Sequence, residues 1–143
     1  MFKRILITLF VLALFSCESD DERRNNPNLL NIQFSIELNL NLPQFSPLKF
    51  SGNAIYVGGP GIGNDGILVA NIGSQILAWD ASDPNMLPDS CTRLQIDGLS
   101  AINTCSNQNA YSLATGQPLQ DGLQYPLWSY RTSATGDSVL VFN

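Results

Sequence analysis

Hydrophobic and polar residues alternate strictly along residues 31–42, in the stretch NIQFSIELNLNL. A period of two residues is that of a β-strand with one buried face and one face in solvent. The pattern predicts a long N-terminal strand whose apolar side chains all lie on one side: Ile32, Phe34, Ile36, Leu38, Leu40 and Leu42.

Short apolar runs separated by turn residues follow this strand along the rest of the chain. They predict strands over residues 54–57, 67–71, 75–79, 92–96, 99–103, 125–131 and 138–142, with a further short strand in AYSL. No stretch after residue 30 has a helical period, and the turns recur at short, even intervals. The fold class predicted from the residues is all-β, as an antiparallel sandwich or barrel in which 31–42 adds an N-terminal strand or hairpin.

The chain begins with a basic pair, Lys3 and Arg4, followed by an apolar run over residues 5–15. This pattern is typical of a secretory signal peptide and is too short for a lasting transmembrane helix. The ending LFSC resembles the bacterial lipobox, which implies cleavage after residue 16 and lipidation of Cys17. The alternative is an ordinary signal peptide in which Cys17 has no special role.

Residues 17–28 are polar and charged and have no apolar periodicity, so they are predicted to form a flexible tether. The acidic run ESDDE after Cys17 resembles the export signal of some Bacteroidetes lipoproteins, which implies the outer membrane or the cell surface. A simple solvated linker is the alternative. One folded domain is predicted over residues 29–143.

The charge of the chain bears on its partners. The formal net charge is −5, and removal of Lys3 and Arg4 with the signal peptide would leave five basic against twelve acidic residues. Such a chain has no basic surface for nucleic acid or for anionic lipid headgroups. The expected contact with the membrane is therefore through the N-terminal lipid alone, with an unidentified envelope protein as a possible partner.

The sequence shows no catalytic equipment, so the chain is expected not to be an enzyme. It contains no histidine, which excludes the Ser-His-Asp and Cys-His arrangements. The carboxylates Asp80, Asp83 and Asp89 lie close together in sequence but lack the glycine and final glutamate of a calcium loop. No metal site is therefore predicted.

One glycine pattern matches a nucleotide-binding motif by spacing. Gly61, Gly63 and Gly66 fit G-x-G-x-x-G, but a helix must follow that motif so that its N-terminus faces the phosphates. The apolar run after Gly66 is a predicted strand, so these glycines are interpreted as turn residues between strands.

The stretch CTRLQIDGLSAINTC predicts a hairpin that turns at Asp97 and Gly98. In that register Ile96 pairs with Leu99, and Cys91 lies opposite Thr104, one residue short of Cys105. A bulge or a loosened strand end near 103–105 would be needed to bring the two cysteines together.

The order of strands and loops over residues 66–142 resembles the Rieske iron–sulfur domain, most closely in YSLATGQPL and YPLWSYR. The resemblance implies a Rieske-like fold and places two cluster-binding loops in this chain. At the four ligand positions stand Asp83, Asn85, Cys105 and Gln108. A Rieske cluster needs two thiolates and two imidazoles, so the resemblance implies a degenerate site without the cofactor.

Two cysteines remain once Cys17 carries the lipid. Exported proteins meet an oxidising environment, and Cys91 and Cys105 lie near the open end of one hairpin. We expect a Cys91–Cys105 disulfide; the alternative is two buried thiols. The aromatic residues of the strands are expected to pack in the core, and a ligand platform is the alternative. They are Trp79, Tyr111, Tyr125, Trp128 and Tyr130.

Two functions from different classes stay open. The first is a noncatalytic, membrane-anchored lipoprotein that serves as a binding or scaffold module of the cell envelope and carries no cofactor. The second is a Rieske-type [2Fe–2S] electron-transfer protein or oxidoreductase subunit that keeps its cluster with unusual ligands or with histidines of another subunit. The absorption spectrum of the pure protein distinguishes them, because only the second is coloured.

Overall fold

The computed structural model describes residues 25–88, 91–105 and 108–143. Cys17, the predicted signal peptide and Asp89 lie outside the described residues. Nine strands follow in chain order: β1 (Ser35–Asn39), β2 (Ala54–Val57), β3 (Ile67–Asn71), β4 (Ile76–Asp80), β5 (Gln95–Asp97), β6 (Ser100–Ile102), β7 (Ala110–Ser112), β8 (Ser129–Thr135) and β9 (Ser138–Phe142). The described part contains one short 3-10 helix, Ser46–Lys49, and no α-helix.

The strands form two antiparallel sheets. The larger has six strands in the order β1-β9-β8-β4-β3-β2, and the smaller has three in the order β5-β6-β7. The prediction of an all-β antiparallel fold is therefore confirmed. No helix in the described part of the chain is long and apolar enough to cross a membrane.

Strand β3 explains why the core has two halves. Its first four residues are all buried, because its two faces pack against different parts of the chain. Ile67 and Val69 belong to one hydrophobic cluster, which lies with β1, β2 and β9. Leu68 and Ala70 belong to the other, which lies between the larger sheet and the residues around β5, β6 and β7. A strand buried on both faces needs a continuous apolar run, which ILVA supplies.

The N-terminal strand is shorter than its alternation predicts. Regular pairing covers β1 alone, which lies against β9 with Leu38 opposite Val139. Leu38 and Leu40 are buried as expected, but Leu42 is 42% exposed. The chain turns after β1, since the amide of Leu42 donates to the carbonyl of Asn39 at 3.0 Å. The prediction that Leu42 lies on the buried side is therefore wrong.

Residues ahead of Leu29, where the sequence placed the start of the domain, also contact the domain. Asn26 is buried, and its side-chain amide donates to the carbonyl of Pro84 at 2.8 Å. The side-chain amide of Asn28 donates to the same carbonyl at 2.9 Å. These bonds attach the end of the predicted tether to the loop that follows β4.

The hairpin of β5 and β6 has a different register from the predicted one. Ile96 pairs with Ala101 and Asp97 with Ser100, so the turn consists of Gly98 and Leu99. Gly98 has a φ of 60°, which suits the first central position of a type II′ turn. Before β5 the chain leaves the hairpin, because the amide of Leu94 donates to the carbonyl of Ala81 at 2.8 Å. The two strands therefore separate at the open end of the hairpin, where a bulge or a loosened strand end was predicted.

Candidate functional site

Three segments meet at the open end of this hairpin: the loop after β4, residues 91–94, and the loop between β6 and β7. Backbone hydrogen bonds connect them. The amide of Asp83 donates to the carbonyl of Thr92 at 2.7 Å, and that of Asn103 donates to the carbonyl of Asn109 at 2.7 Å. The geometry brings together side chains from residues 83, 85, 91, 103, 105, 109 and 111.

The carboxylate of Asp83 lies at the centre of this group and is fully buried. Its Oδ1 accepts hydrogen bonds from the Tyr111 hydroxyl at 2.6 Å and from the backbone amide of Asn85 at 3.0 Å. Its Oδ2 accepts from the side-chain amides of Asn103 and Asn109, each at 2.9 Å. Four donors surround one carboxylate, so both oxygens have the partners that burial of a charge requires.

Asn85 connects the same network to the segment before β8. Its side-chain nitrogen donates to the Tyr111 hydroxyl at 2.8 Å and to the carbonyl of Tyr125 at 2.7 Å. Its oxygen accepts from the amides of Gln124 and Tyr125, each at 2.9 Å. Every polar atom of this side chain is therefore engaged in holding loops together.

A disulfide joins Cys91 to Cys105, with Cα atoms 6.2 Å apart. Asn103 ties this crosslink to the carboxylate network. The Asn103 side-chain nitrogen also lies 3.3 Å from the carbonyl of Cys91, and its oxygen accepts from the amide of Cys105 at 2.8 Å. The disulfide expected from the sequence is thus present, and it lies beside a buried, hydrogen-bonded asparagine.

A second buried carboxylate, Asp80, lies at the end of β4. Its Oδ2 accepts from the Tyr130 hydroxyl at 2.5 Å and from both the backbone and side-chain nitrogens of Asn64, each at 2.8 Å. Its Oδ1 accepts from the amide of Ser82 at 2.8 Å. Each of these two buried aspartates is therefore paired with a tyrosine hydroxyl, and neither forms an ion pair with a cation of the described residues.

These environments favour the neutral form of both phenols. Burial raises the pKa of Tyr111, and the hydrogen bond to Asp83 raises it further. Burial also raises the pKa of Tyr130, with an added contribution from the charge of Asp80. Neither phenol therefore ionises near neutral pH. Both keep their proton and donate a hydrogen bond to a carboxylate.

This geometry predicts a loss of stability at alkaline pH. Tyrosine in an unfolded chain ionises near pH 10, whereas the folded state keeps these two phenols neutral to higher pH. The free energy of unfolding should then fall above about pH 10, by at most about 1.4 kcal/mol per pH unit for each phenol. Urea unfolding at stepped pH measures the slope. The Tyr130→Phe variant has one proton fewer to lose and should show a shallower slope; an equal slope would contradict the assignment.

The four positions that the resemblance singled out have different outcomes. Asp83, Asn85 and Cys105 lie in the network described above. Gln108 does not join it: its side chain is exposed, its φ is 49°, and its amide donates to the carbonyl of Cys105 at 3.2 Å.

The sequence did not identify the other members of the network as site residues. Tyr111 was expected to be a core aromatic, and Asn103 and Asn109 carried no signal beyond their positions near the end of a predicted strand and in the loop that follows. The one available signal was that the predicted hairpin places Asn103 close to Cys91.

Solved structures of low sequence identity share this fold. A chain from the complex of reduced oxygenase and oxidized ferredoxin in carbazole 1,9a-dioxygenase is similar with a TM-score of 0.51 and 17% identity, over 79% of this chain and 94% of that chain. The cyanobacterial plasma membrane Rieske protein of Synechocystis PCC 6803 is similar with a TM-score of 0.50 and 20% identity, over 68% of this chain and 93% of that chain. No protein-family model matches the chain, and no curated protein matches its sequence.

These similarities confirm a Rieske-like fold. At such identities they speak for the fold alone, so the chemistry rests on the residues present. A carboxylate, two amides and a disulfide sulfur are not the two thiolates and two imidazoles of a [2Fe–2S] Rieske centre, and the four side chains do not fit that group. Among the described residues, no three His, Cys, Asp or Glu side chains are placed to hold a metal ion.

Proposed function

We propose that this chain is a noncatalytic, membrane-anchored lipoprotein that serves as a binding or scaffold module of the cell envelope, on a Rieske-like fold without a cluster. One observation carries the proposal: the loops that would present cluster ligands are crosslinked by protein groups instead. The Asp83 carboxylate has four protein donors, and Cys105 is bonded to Cys91.

The absence of a cluster is supported by the chemistry of the donors. Iron–sulfur centres need thiolates, which a disulfide does not supply, and the chain has no histidine for the second iron. Insertion of a cluster would require breaking the Cys91–Cys105 bond and displacing a buried carboxylate from all its donors. Both steps act against the cofactor.

The noncatalytic role is supported by the state of the polar side chains. Asp80 and Asp83 are buried and hydrogen-bonded, and the phenols that contact them stay neutral. None of these groups is placed as an activated nucleophile or as a base with access to solvent.

The place in the cell follows from the N-terminal sequence. Lipidation at Cys17 would attach the chain to the outer membrane or the cell surface, and the acidic composition disfavours nucleic acid as a partner. Asn26 and Asn28 attach the end of the tether to the loop after β4, so the chain from the anchor would join the domain near the candidate site.

Electron transfer is the second candidate. It draws on the similarity to a ferredoxin complex and to a Rieske protein. It would require that this chain hold a [2Fe–2S] centre with ligands other than those of its own loops.

Two measurements on protein purified from membranes test the proposal. We expect a colourless protein with no visible absorption bands, and mass analysis of the N-terminal peptide should find an acylated Cys17. Cluster bands in the visible spectrum would overturn the noncatalytic role. An unmodified Cys17 would overturn the lipid anchor and leave the rest of the proposal standing.

A further inference from the structure

A groove of about 540 Å³ runs beside the site, between the N-terminal segment and the loops that flank β3 and β4. Among the described residues, its walls carry one cation, the exposed Arg93, and one anion, the half-buried Asp65. Leu30, Ile32 and Met86 line the same groove and give it an apolar side. The groove thus offers three different kinds of contact within one volume.

Arg93 is held in place by an aromatic ring. Its guanidinium carbon lies 5.3 Å from the centroid of the Tyr56 ring. The ring in turn lies directly on the backbone of Gly58 and Gly66, where an added Cβ would come within 2.5 Å of its atoms. Stacking uses the face of the guanidinium, and the Tyr56 hydroxyl also interacts with one of its N–H groups. Because a guanidinium has five N–H donors, the others are left for a bidentate partner.

The two charges line one groove and do not form an ion pair with each other. Tyr56 raises the pKa of Arg93, and the negative charge of Asp65 makes a smaller contribution in the same direction. Yet the one ion pair among the described residues joins Lys49 to Asp137. Neither Arg93 nor Asp65 is therefore used in an ion pair among the described residues, and both line the groove where a ligand's charged groups can reach them.

The charge of the domain selects between kinds of ligand. The described residues include three basic and seven acidic side chains, so a plain anion would be repelled as it approached. A plain cation would meet Arg93. A ligand with no net charge and with both a carboxylate and an ammonium group avoids both penalties. Its carboxylate can pair with Arg93 and its ammonium group with Asp65.

We propose that this groove binds a small zwitterion with an aliphatic side chain, an amino acid or a short peptide. The ligand carboxylate would pair with Arg93, its ammonium group with Asp65, and its side chain would pack against Leu30, Ile32 and Met86. This assignment rests on the proposed binding role and gives that role a ligand class.

Titration of the isotope-labelled full chain in mild detergent tests the assignment by NMR. L-leucine or trileucine should shift the Arg93 side-chain and Met86 methyl signals in a saturable way. Tighter binding of leucine would identify a free amino acid as the ligand, and tighter binding of trileucine would identify a peptide. Leucinamide lacks the carboxylate and N-acetyl-leucine lacks the ammonium group, and each should bind about tenfold more weakly than leucine.

The variant Arg93→Gln should weaken binding by about tenfold. Arg131→Gln is the matched control, because Arg131 also stacks on an aromatic ring, at 4.7 Å from the Phe142 centroid, and does not line the groove. Binding by that control should match the unchanged chain. The assignment is overturned if neither leucine nor trileucine gives a saturable shift, or if the two blocked compounds bind as tightly as leucine. In a protein without cluster bands, such a result rejects the groove ligand and leaves the proposed function in place.

Discussion

Replacement of Asp83 by alanine is expected to lower the free energy of unfolding by about 3 to 5 kcal/mol. The change removes the acceptor shared by Tyr111, Asn85, Asn103 and Asn109, and leaves three buried donors and one half-buried donor without it. Each unsatisfied buried group costs about 1 to 3 kcal/mol, although the donors would relax in part. Urea unfolding followed by tryptophan fluorescence measures the loss.

Asp121→Ala is the matched control, because Asp121 lies on the exposed surface and forms no hydrogen bond or ion pair among the described residues. Its effect should stay within about 0.5 kcal/mol. A loss for Asp83→Ala as small as that of the control would show that the network does not hold the loops.

Removal of the disulfide has the second largest expected effect. Cys91 and Cys105 are 14 positions apart, and a crosslink that closes a loop of this length contributes about 3 kcal/mol through the unfolded chain. The double variant Cys91→Ser, Cys105→Ser should lose this amount in urea unfolding. Reduction of the unchanged chain by a dithiol should give the same loss, while the double variant should not respond to the reductant.

Thiol titration provides an independent check on the same crosslink. Unreduced, denatured protein carrying Cys17→Ser should contain no titratable thiol. Two thiols per chain, or a double variant as stable as the unchanged protein, would contradict the account.

The sequence predicted the strands that depend on local pattern. Residues 54–57, 67–71 and 138–142 form strands with the predicted bounds, because alternation or a continuous apolar run determines which face of each is buried. The same alternation overestimated the first strand. Its pattern extends to Leu42, but pairing ends where β9 begins at Ser138, which is a property of the partner strand.

Hairpin register could not be read from the hairpin alone. Asp97-Gly98 is a strong turn signal, but the turn lies at Gly98 and Leu99. The segment before β5 pairs with residues 81–83, and Arg93 forms a bridge with Ser82. This long-range pairing competes with a longer hairpin, and no local pattern reports it.

The candidate site could likewise be predicted in part from the sequence. Resemblance brought Asp83, Asn85 and Cys105 to one end of the fold, and the structure places them together. It could not show that Asp83 is a buried hydrogen-bond acceptor, because Asn103, Asn109 and Tyr111 become its donors only when two loops and a strand are packed. An asparagine in a loop has many possible partners, and sequence spacing does not choose among them.

Under the proposed function, protein groups and not a cluster hold the loops at the site end of this fold. Reconstitution is the decisive experiment: the chain is reduced, incubated with iron and sulfide without oxygen, freed of excess reagents, and measured by metal analysis and by electron paramagnetic resonance after reduction with dithionite. We expect no retained iron and no resonance of a reduced [2Fe–2S] centre. Two iron atoms per chain together with that resonance would overturn the proposal.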